Sequence, residues 1–307
     1  MTRLQADLAL LFAALIWGTA FIAQKQGNDS IGPLTFVGLR FLLSWIALAP
    51  LAAYEHVSAG RRPLGKASMR LAGAIGLCLF AGTTLQQFGL LTTTATNAGF
   101  LSTLYVVLVP AILWAITGSR PRRVILIAAI LSLAGSWFLT AHGAFGEWRR
   151  GDSFIVAADV AWAAGICLVP IFLARAQRPF FLAFAQYGVA AVLGLLAGIA
   201  LEPQSAAGVA SALPSLLYAG LCSGGVAYTL QIVAQRYTPP AEAALIMSLE
   251  SVFAALSGAI LLGERLTGLA VLGCALILTG VVLAEAGPMM RKPRPSRKTA
   301  PAHLETA

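Results

Sequence analysis

The chain contains one unit written twice. Asp7 and Trp17 recur as Asp152 and Trp162, and Thr84-Leu85-Gln86 recurs as Thr229-Leu230-Gln231. Gly118, Arg120 and Gly135 recur as Gly263, Arg265 and Gly280, always 145 positions on, with no gap needed from Thr84 to Gly135. Each copy holds five long apolar stretches. Five is odd, so the second copy must enter a bilayer from the opposite face. The duplication is therefore an inverted repeat, the construction of an alternating-access carrier.

The bilayer itself follows from composition. With 58% hydrophobic and 11% charged residues and a mean hydropathy of +0.81, the chain departs far from soluble domains, where about 25% of residues are charged. A helix crosses the hydrocarbon in roughly 20 apolar residues. Ten such windows occur, near 6–24, 32–54, 69–91, 95–117, 123–142, 152–174, 179–201, 211–235, 239–262 and 267–286. The predicted fold class is an all-α integral membrane protein of ten transmembrane helices, in two inverted five-helix repeats. The copies divide as residues 1–146 and 147–287, followed by a disordered basic tail at 288–307. Loops are too short for an extramembrane domain or a soluble active site.

The net charge of +9 does not point to nucleic acid, because the basic residues are sorted by side. With the N-terminus inside, sixteen Lys and Arg fall in inner segments, four (Lys25, Arg149, Arg150, Arg265) in outer loops, and Arg40 within a span. That bias puts both termini in the cytoplasm of a cell with a multi-pass inner-membrane protein. The first span resembles a signal peptide, but its mate at 152–174 lies mid-chain, so both read as structural helices. Cys78, Cys167, Cys222 and Cys274 fall in apolar windows and imply packing, not a disulfide framework. His56, His142 and His303 have no metal-ligand spacing. No metal or cofactor is implied, and a monomer is the expected state.

Ionisable groups in hydrocarbon are costly, and they line cavities or pair with one another. Arg40 and Asp159 lie about 12 Å deep in spans that start outside, and Glu250 about 18 Å deep in a span that starts inside, at 1.5 Å per residue. Arg40 with Asp159 or Glu250 is the candidate ion pair, either structural or part of the pathway. A carboxylate taken out of water can also exchange protons with its surroundings, which makes Glu250 a candidate coupling site. Glu242, near an inner helix end, reads as interfacial. Trp17 and Trp162 lie at roughly 16 Å depth, far from the interfacial belts where Trp usually sits. Tyr105 is similarly deep, and Gln86, Tyr228, Gln231, Ser248 and Ser251 add polar edges that a substrate, a water or another helix must satisfy. Pro110 and Pro170 predict kinks.

Trp17-Gly18 in the first span, Glu250 in the ninth and Leu262-Gly263-Glu264-Arg265 closing that span before Gly273 and Gly280 resemble the EamA family of the drug/metabolite transporter superfamily. The resemblance covers residues 6–286. It implies a basket of ten helices around a central cavity built by spans 1, 3, 4, 6, 8 and 9, with Trp17, Gln86, Tyr105, Trp162, Tyr228 and Glu250 in it and spans 5 and 10 peripheral. The first copy departs from the pattern, with Gly118-Ser119-Arg120 where the second has Gly263-Glu264-Arg265.

No zinc-binding H-E-x-x-H, nucleophile elbow or phosphate loop is present, so neither an enzyme nor an ATP-driven pump is predicted. The small drug-efflux relatives use a glutamate in the first helix, which this chain lacks. Sugar-phosphate carriers need several deep cations, and only Arg40 qualifies. Aromatic walls with near-balanced charge suit a small zwitterion. The chain is thus similar to the family's exporters of aromatic and neutral amino acids; hydrophobic drugs, other small metabolites and a passive pore are the alternatives.

Overall fold

The computed structural model describes residues 1–61, 63–93, 95–140, 149–261 and 267–289. The Leu262-Gly263-Glu264-Arg265 motif, His142, His303 and the tail beyond Met289 lie outside the described residues. Every regular element among the described residues is a helix. Among the described residues nine stretches are long and apolar enough to cross a bilayer, and the tenth expected span is a shorter apolar helix, Arg123–Leu139.

The first copy opens with α1 (Arg3–Asn28), α2 (Pro33–Ser58) and α3 (Lys66–Gly89). Thr2 caps α1: its hydroxyl accepts from the Gln5 amide at 3.3 Å, and the Gln5 side chain accepts from the Thr2 amide at 2.8 Å, a reciprocal box that satisfies two orphan donors. Pro33 starts α2, where its missing N–H removes no helical bond. The fourth span is broken into α4 (Ala95–Leu101) and α5 (Tyr105–Thr117), and α6 (Arg123–Thr140) follows. Gly118 ends α5 at φ 68°, left-handed backbone that an L side chain adopts only with strain.

The second copy runs α7 (Arg150–Ala176), α8 (Pro179–Leu201), α9 (Ala206–Leu217), a π-helical segment (Tyr218–Ala227), α10 (Tyr228–Ala234), α11 (Pro240–Met247), α12 (Glu250–Leu261) and α13 (Gly268–Met289). Three of the windows expected as continuous spans are therefore interrupted. Two of the breaks are one break repeated, because α4 and α11 start at 95 and 240, and α5 and α12 at 105 and 250. At each break a hydroxyl bonds back to a carbonyl three residues earlier: Thr103 to Phe100 at 2.6 Å and Ser248 to Leu245 at 2.7 Å. Such back-bonding competes with the helical ladder and ends it locally.

The copies interlock by the same contacts made twice. The Thr93 hydroxyl donates to Asp152, and the Thr238 hydroxyl donates to Asp7 at 2.7 Å, each loop of one copy reaching the first helix of the other. Glu202 accepts from the Leu34 and Thr35 amides, both at 2.8 Å, at the start of α2. Glu55 accepts from the Phe180 and Phe181 amides at 3.2 and 2.8 Å, at the start of α8. Carboxylates at helix N-termini satisfy orphan amides and meet the favourable end of the dipole. The copies are antiparallel. Asn28 at the end of α1 donates to the Gln87 carbonyl at 3.0 Å near the end of α3, and Gly89, which closes α3, abuts Gly151 at the start of α7. Arg3 meets Glu285 near the end of α13, so both ends of the described chain lie on one face, called here the terminal face. Around the perimeter Ile46, Leu196 and Ile260 stand exposed, as a lipid-facing wall requires.

Candidate functional site

A cavity of about 50 Å³ lies between the copies, room for roughly three to five waters at about 10–15 Å³ each. Trp17, Gln86, Tyr105, Trp162, Tyr228 and Glu250 all line it, as does Arg40. Arg40 belongs to α2, which the family resemblance had not included among the cavity helices. No residue of α6 or α13 among the described residues lines it.

The wall is an aromatic stack built across the repeat. Tyr228 lies between the repeat mates Trp17 and Trp162, with ring centroids 4.8 Å from Trp17 at 52° and 5.5 Å from Trp162 at 12°. Such tilted and offset arrangements suit the ring quadrupoles. The π-helical segment helps place this stack. Its widened turn offers the Ser223 carbonyl to the Trp17 indole N–H at 3.3 Å and ends where Tyr228 begins. π-Helical turns concentrate at functional sites for this reason. Tyr187 and Thr229 share a hydroxyl contact of 2.9 Å behind the stack.

Charge is separated within the cavity. Arg40 is 1% exposed; its Nη1 donates to Gln24 Oε1 at 2.9 Å and its Nε has no acceptor. The expected pairing of Arg40 with Asp159 or Glu250 is not made, because the guanidinium reaches Gln24 on α1 instead. The four ion pairs among the described residues all involve Arg3 or Arg122. Among the described residues Glu250 accepts only from the Tyr105 hydroxyl at 3.5 Å, the outer limit of a hydrogen bond. Asp159 is fully buried just behind, with neither carboxylate oxygen hydrogen-bonded. The nearby Leu104 amide is committed to the Leu101 carbonyl at 3.0 Å.

Two polar candidates are not on the cavity wall. Ser248 forms the α11–α12 break described above, and the Ser251 hydroxyl donates to the Gly99 carbonyl at 3.0 Å. Conversely Phe21, Gln24, Ser102, Ile166, Ser223 and Met247 line the cavity without having been singled out. Gln24 had a readable signal, an amide deep within an apolar helix. Glu242 sits at a helix start near the terminal face, buried there, and it accepts from both Arg3 at 2.7 Å and Arg122. Asp7 and Glu285 join the same cluster through Arg3 at 2.9 and 3.0 Å on the terminal face.

Comparison with known proteins identifies the family. The EamA-like transporter family matches residues 4–141 and again 149–285. A transporter of Archaeoglobus fulgidus is 32% identical over 92% of this chain and 86% of its own length. The threonine/homoserine exporter RhtA of Salmonella typhimurium is 35% identical over 52% of this chain and 54% of its own. A probable amino-acid metabolite efflux pump of Escherichia coli is 28% identical over 95% of this chain and 98% of its own.

Proposed function

The chain belongs to the EamA-like transporter family, and from that premise we propose that it exports neutral and aromatic amino acids by alternating access across an inner membrane. In this reading both termini face the cytoplasm, which the distribution of Lys and Arg supports. The observation that carries this reading is a cavity between inverted copies that combines an aromatic wall, Trp17, Tyr228 and Trp162, with buried charges of both signs, Arg40 and Glu250. An apolar side chain is matched by the wall and a zwitterion by the charges. The names of RhtA and of the Escherichia coli efflux pump agree with an amino-acid cargo.

The ionic cluster of Arg3, Arg122, Asp7, Glu242 and Glu285 serves as a latch on the terminal face in this reading. Its opening admits cargo from that side, and closure there with opening at Thr93 and Asp152 releases it on the other. The test is a competition screen of amino acids, hydrophobic drugs and sugar phosphates against the purified protein in liposomes, repeated with Trp17→Ala and Trp162→Ala. Saturable exchange accelerated by substrate on the far side, lost in both variants with folding intact, is the expected result. Linear flux that nothing competes would make the chain a pore; normal transport by both variants would remove the cavity assignment.

A further inference from the structure

The cavity is polar along its length as well as aromatic around its wall. At one end Arg40 is a buried cation that donates to Gln24 Oε1 at 2.9 Å and has the Tyr228 hydroxyl as a neighbour, with Nε left open among the described residues. At the other, Glu250 has a single marginal donor and Asp159 no side-chain donor among the described residues. Arg40 and Glu250 do not come within the 4.0 Å of an ion pair, and Tyr228 is a neighbour of both. Buried opposite charges that stop short of each other leave each uncompensated, and a ligand carrying the complementary charges relieves both at once. The sense is fixed by the fold: Arg40 lies seven residues into α2 from the face opposite the termini, and Glu250 ten residues into the span that starts at the terminal face with Pro240.

We propose that Arg40 and Glu250 are the specificity-determining poles of the site and hold an α-amino acid in one orientation, its carboxylate on Arg40 and its ammonium on Glu250. Asp159 supports the ammonium pole from behind, and the side chain lies along Trp17, Tyr228 and Trp162. This rests on the amino-acid reading above and goes beyond it by assigning a polarity to the bound cargo. A drug carrier with the same aromatic wall has no need of either pole.

The test uses phenylalanine, phenylalaninamide, which lacks the carboxylate, and N-acetylphenylalanine, which lacks the ammonium. Each competes for transport by the full chain in liposomes and is titrated by tryptophan fluorescence. In the wild type both analogues should compete at least tenfold more weakly than phenylalanine. In Arg40→Gln the preference for phenylalanine over the amide should collapse to about one while the preference over the N-acetyl compound persists. In Glu250→Gln the pattern should reverse, and Arg40→Lys should restore part of what Arg40→Gln loses. A crossed pattern cannot come from misfolding, and if the variants do not fold, the wild-type comparison still decides. Phenylalanine transported, with the amide and the N-acetyl compound competing equally well, overturns the two-pole assignment and leaves the amino-acid reading standing. Absence of any amino-acid transport or binding overturns both.

Discussion

Tyr105 and Glu250 are the same position in the two copies, 145 residues apart, and the hydroxyl of one lies 3.5 Å from the carboxylate of the other. Each begins the second half of a broken span, α5 and α12, so the pseudo-two-fold axis passes between them and brings repeat mates face to face at the centre of the cavity. One copy contributes an aromatic hydroxyl, the other a charge. The asymmetry within a symmetric frame is what distinguishes the two ends of the site.

That contact is long, so its loss should be mild. Tyr105→Phe removes a hydrogen bond whose full net value is about 0.5–1.5 kcal/mol, and at 3.5 Å less than that is at stake. Transport by Tyr105→Phe should fall less than tenfold, whereas Glu250→Gln, which removes a buried charge of nearly the same shape, should fall by more than that. Initial flux rates at saturating substrate compare the two. Equal losses would mean that the tyrosine hydroxyl, not the carboxylate, makes the substrate contact.

Gly18 lets α1 lie against the start of α12. A Cβ there would sit 2.6 Å from the Glu250 carbonyl oxygen and 2.8 Å from the Ala254 amide nitrogen, both backbone atoms that cannot turn aside. Gly18→Ala should therefore destabilise the protein by about 1–3 kcal/mol, the usual cost of overpacking, and displace Glu250 with it. Gly73, where a Cβ meets nothing within 4 Å, is the control, and Gly73→Ala should leave both melting temperature and flux unchanged. Thermal unfolding in detergent measures the difference; an unaltered Gly18→Ala would show that the helices separate freely at this point.

The terminal-face cluster turns on Glu242, 2% exposed, with Arg3 and Arg122 both bound to it. Those arginines are about a third exposed, 34% and 39%, so water screens much of the attraction, and losing it should cost about 1–3 kcal/mol of closure. Glu242→Gln should shift the balance towards a terminal-face-open state. Met247 lines the cavity on the same short helix. In a background without the four native cysteines, Met247→Cys should then react faster with an impermeant thiol reagent applied from the terminal side. Unchanged labelling would mean that the cluster holds the fold and not a gate.

How much of this was legible in the sequence depends on the kind of signal. Spans and inversion were legible because bilayer crossing demands about 20 apolar residues and because identical residues at a fixed offset are visible without a structure. The breaks were not, since Thr103 and Ser248 look like any hydroxyl in an apolar helix until their back-bonds to Phe100 and Leu245 are seen. Depth arguments gave Arg40 and Asp159 the same height but could not give their direction around the helix, and Arg40 turned out to face Gln24. The π-helical segment that carries Ser223 to the cavity was not legible either, because in sequence 218–227 is one more part of an apolar window. The Tyr105–Glu250 pairing was present in the offset itself and was hidden because the two residues differ.

The repeat makes one prediction with opposite signs at its two ends. Thr93 donates to Asp152 on one face, and Thr238, 145 residues on, donates to Asp7 on the other. If closing one face opens the other, each bond favours one of the two states, and removing it favours the opposite one. A hydrogen bond to a charged group contributes about 1.5–3 kcal/mol net, so either deletion can move the equilibrium by roughly tenfold or more. Thr238→Ala should raise access to the cavity from the terminal face and Thr93→Ala from the other, as read by thiol labelling at Met247→Cys from each side. The first effect should be the smaller, because Asp7 keeps its ion pair with Arg3 at 2.9 Å while Asp152 has no such cation among the ion pairs of the described residues. The double variant should return towards the wild-type balance, since the two shifts oppose each other. Shifts of the same sign in both single variants would be incompatible with two faces that open in turn.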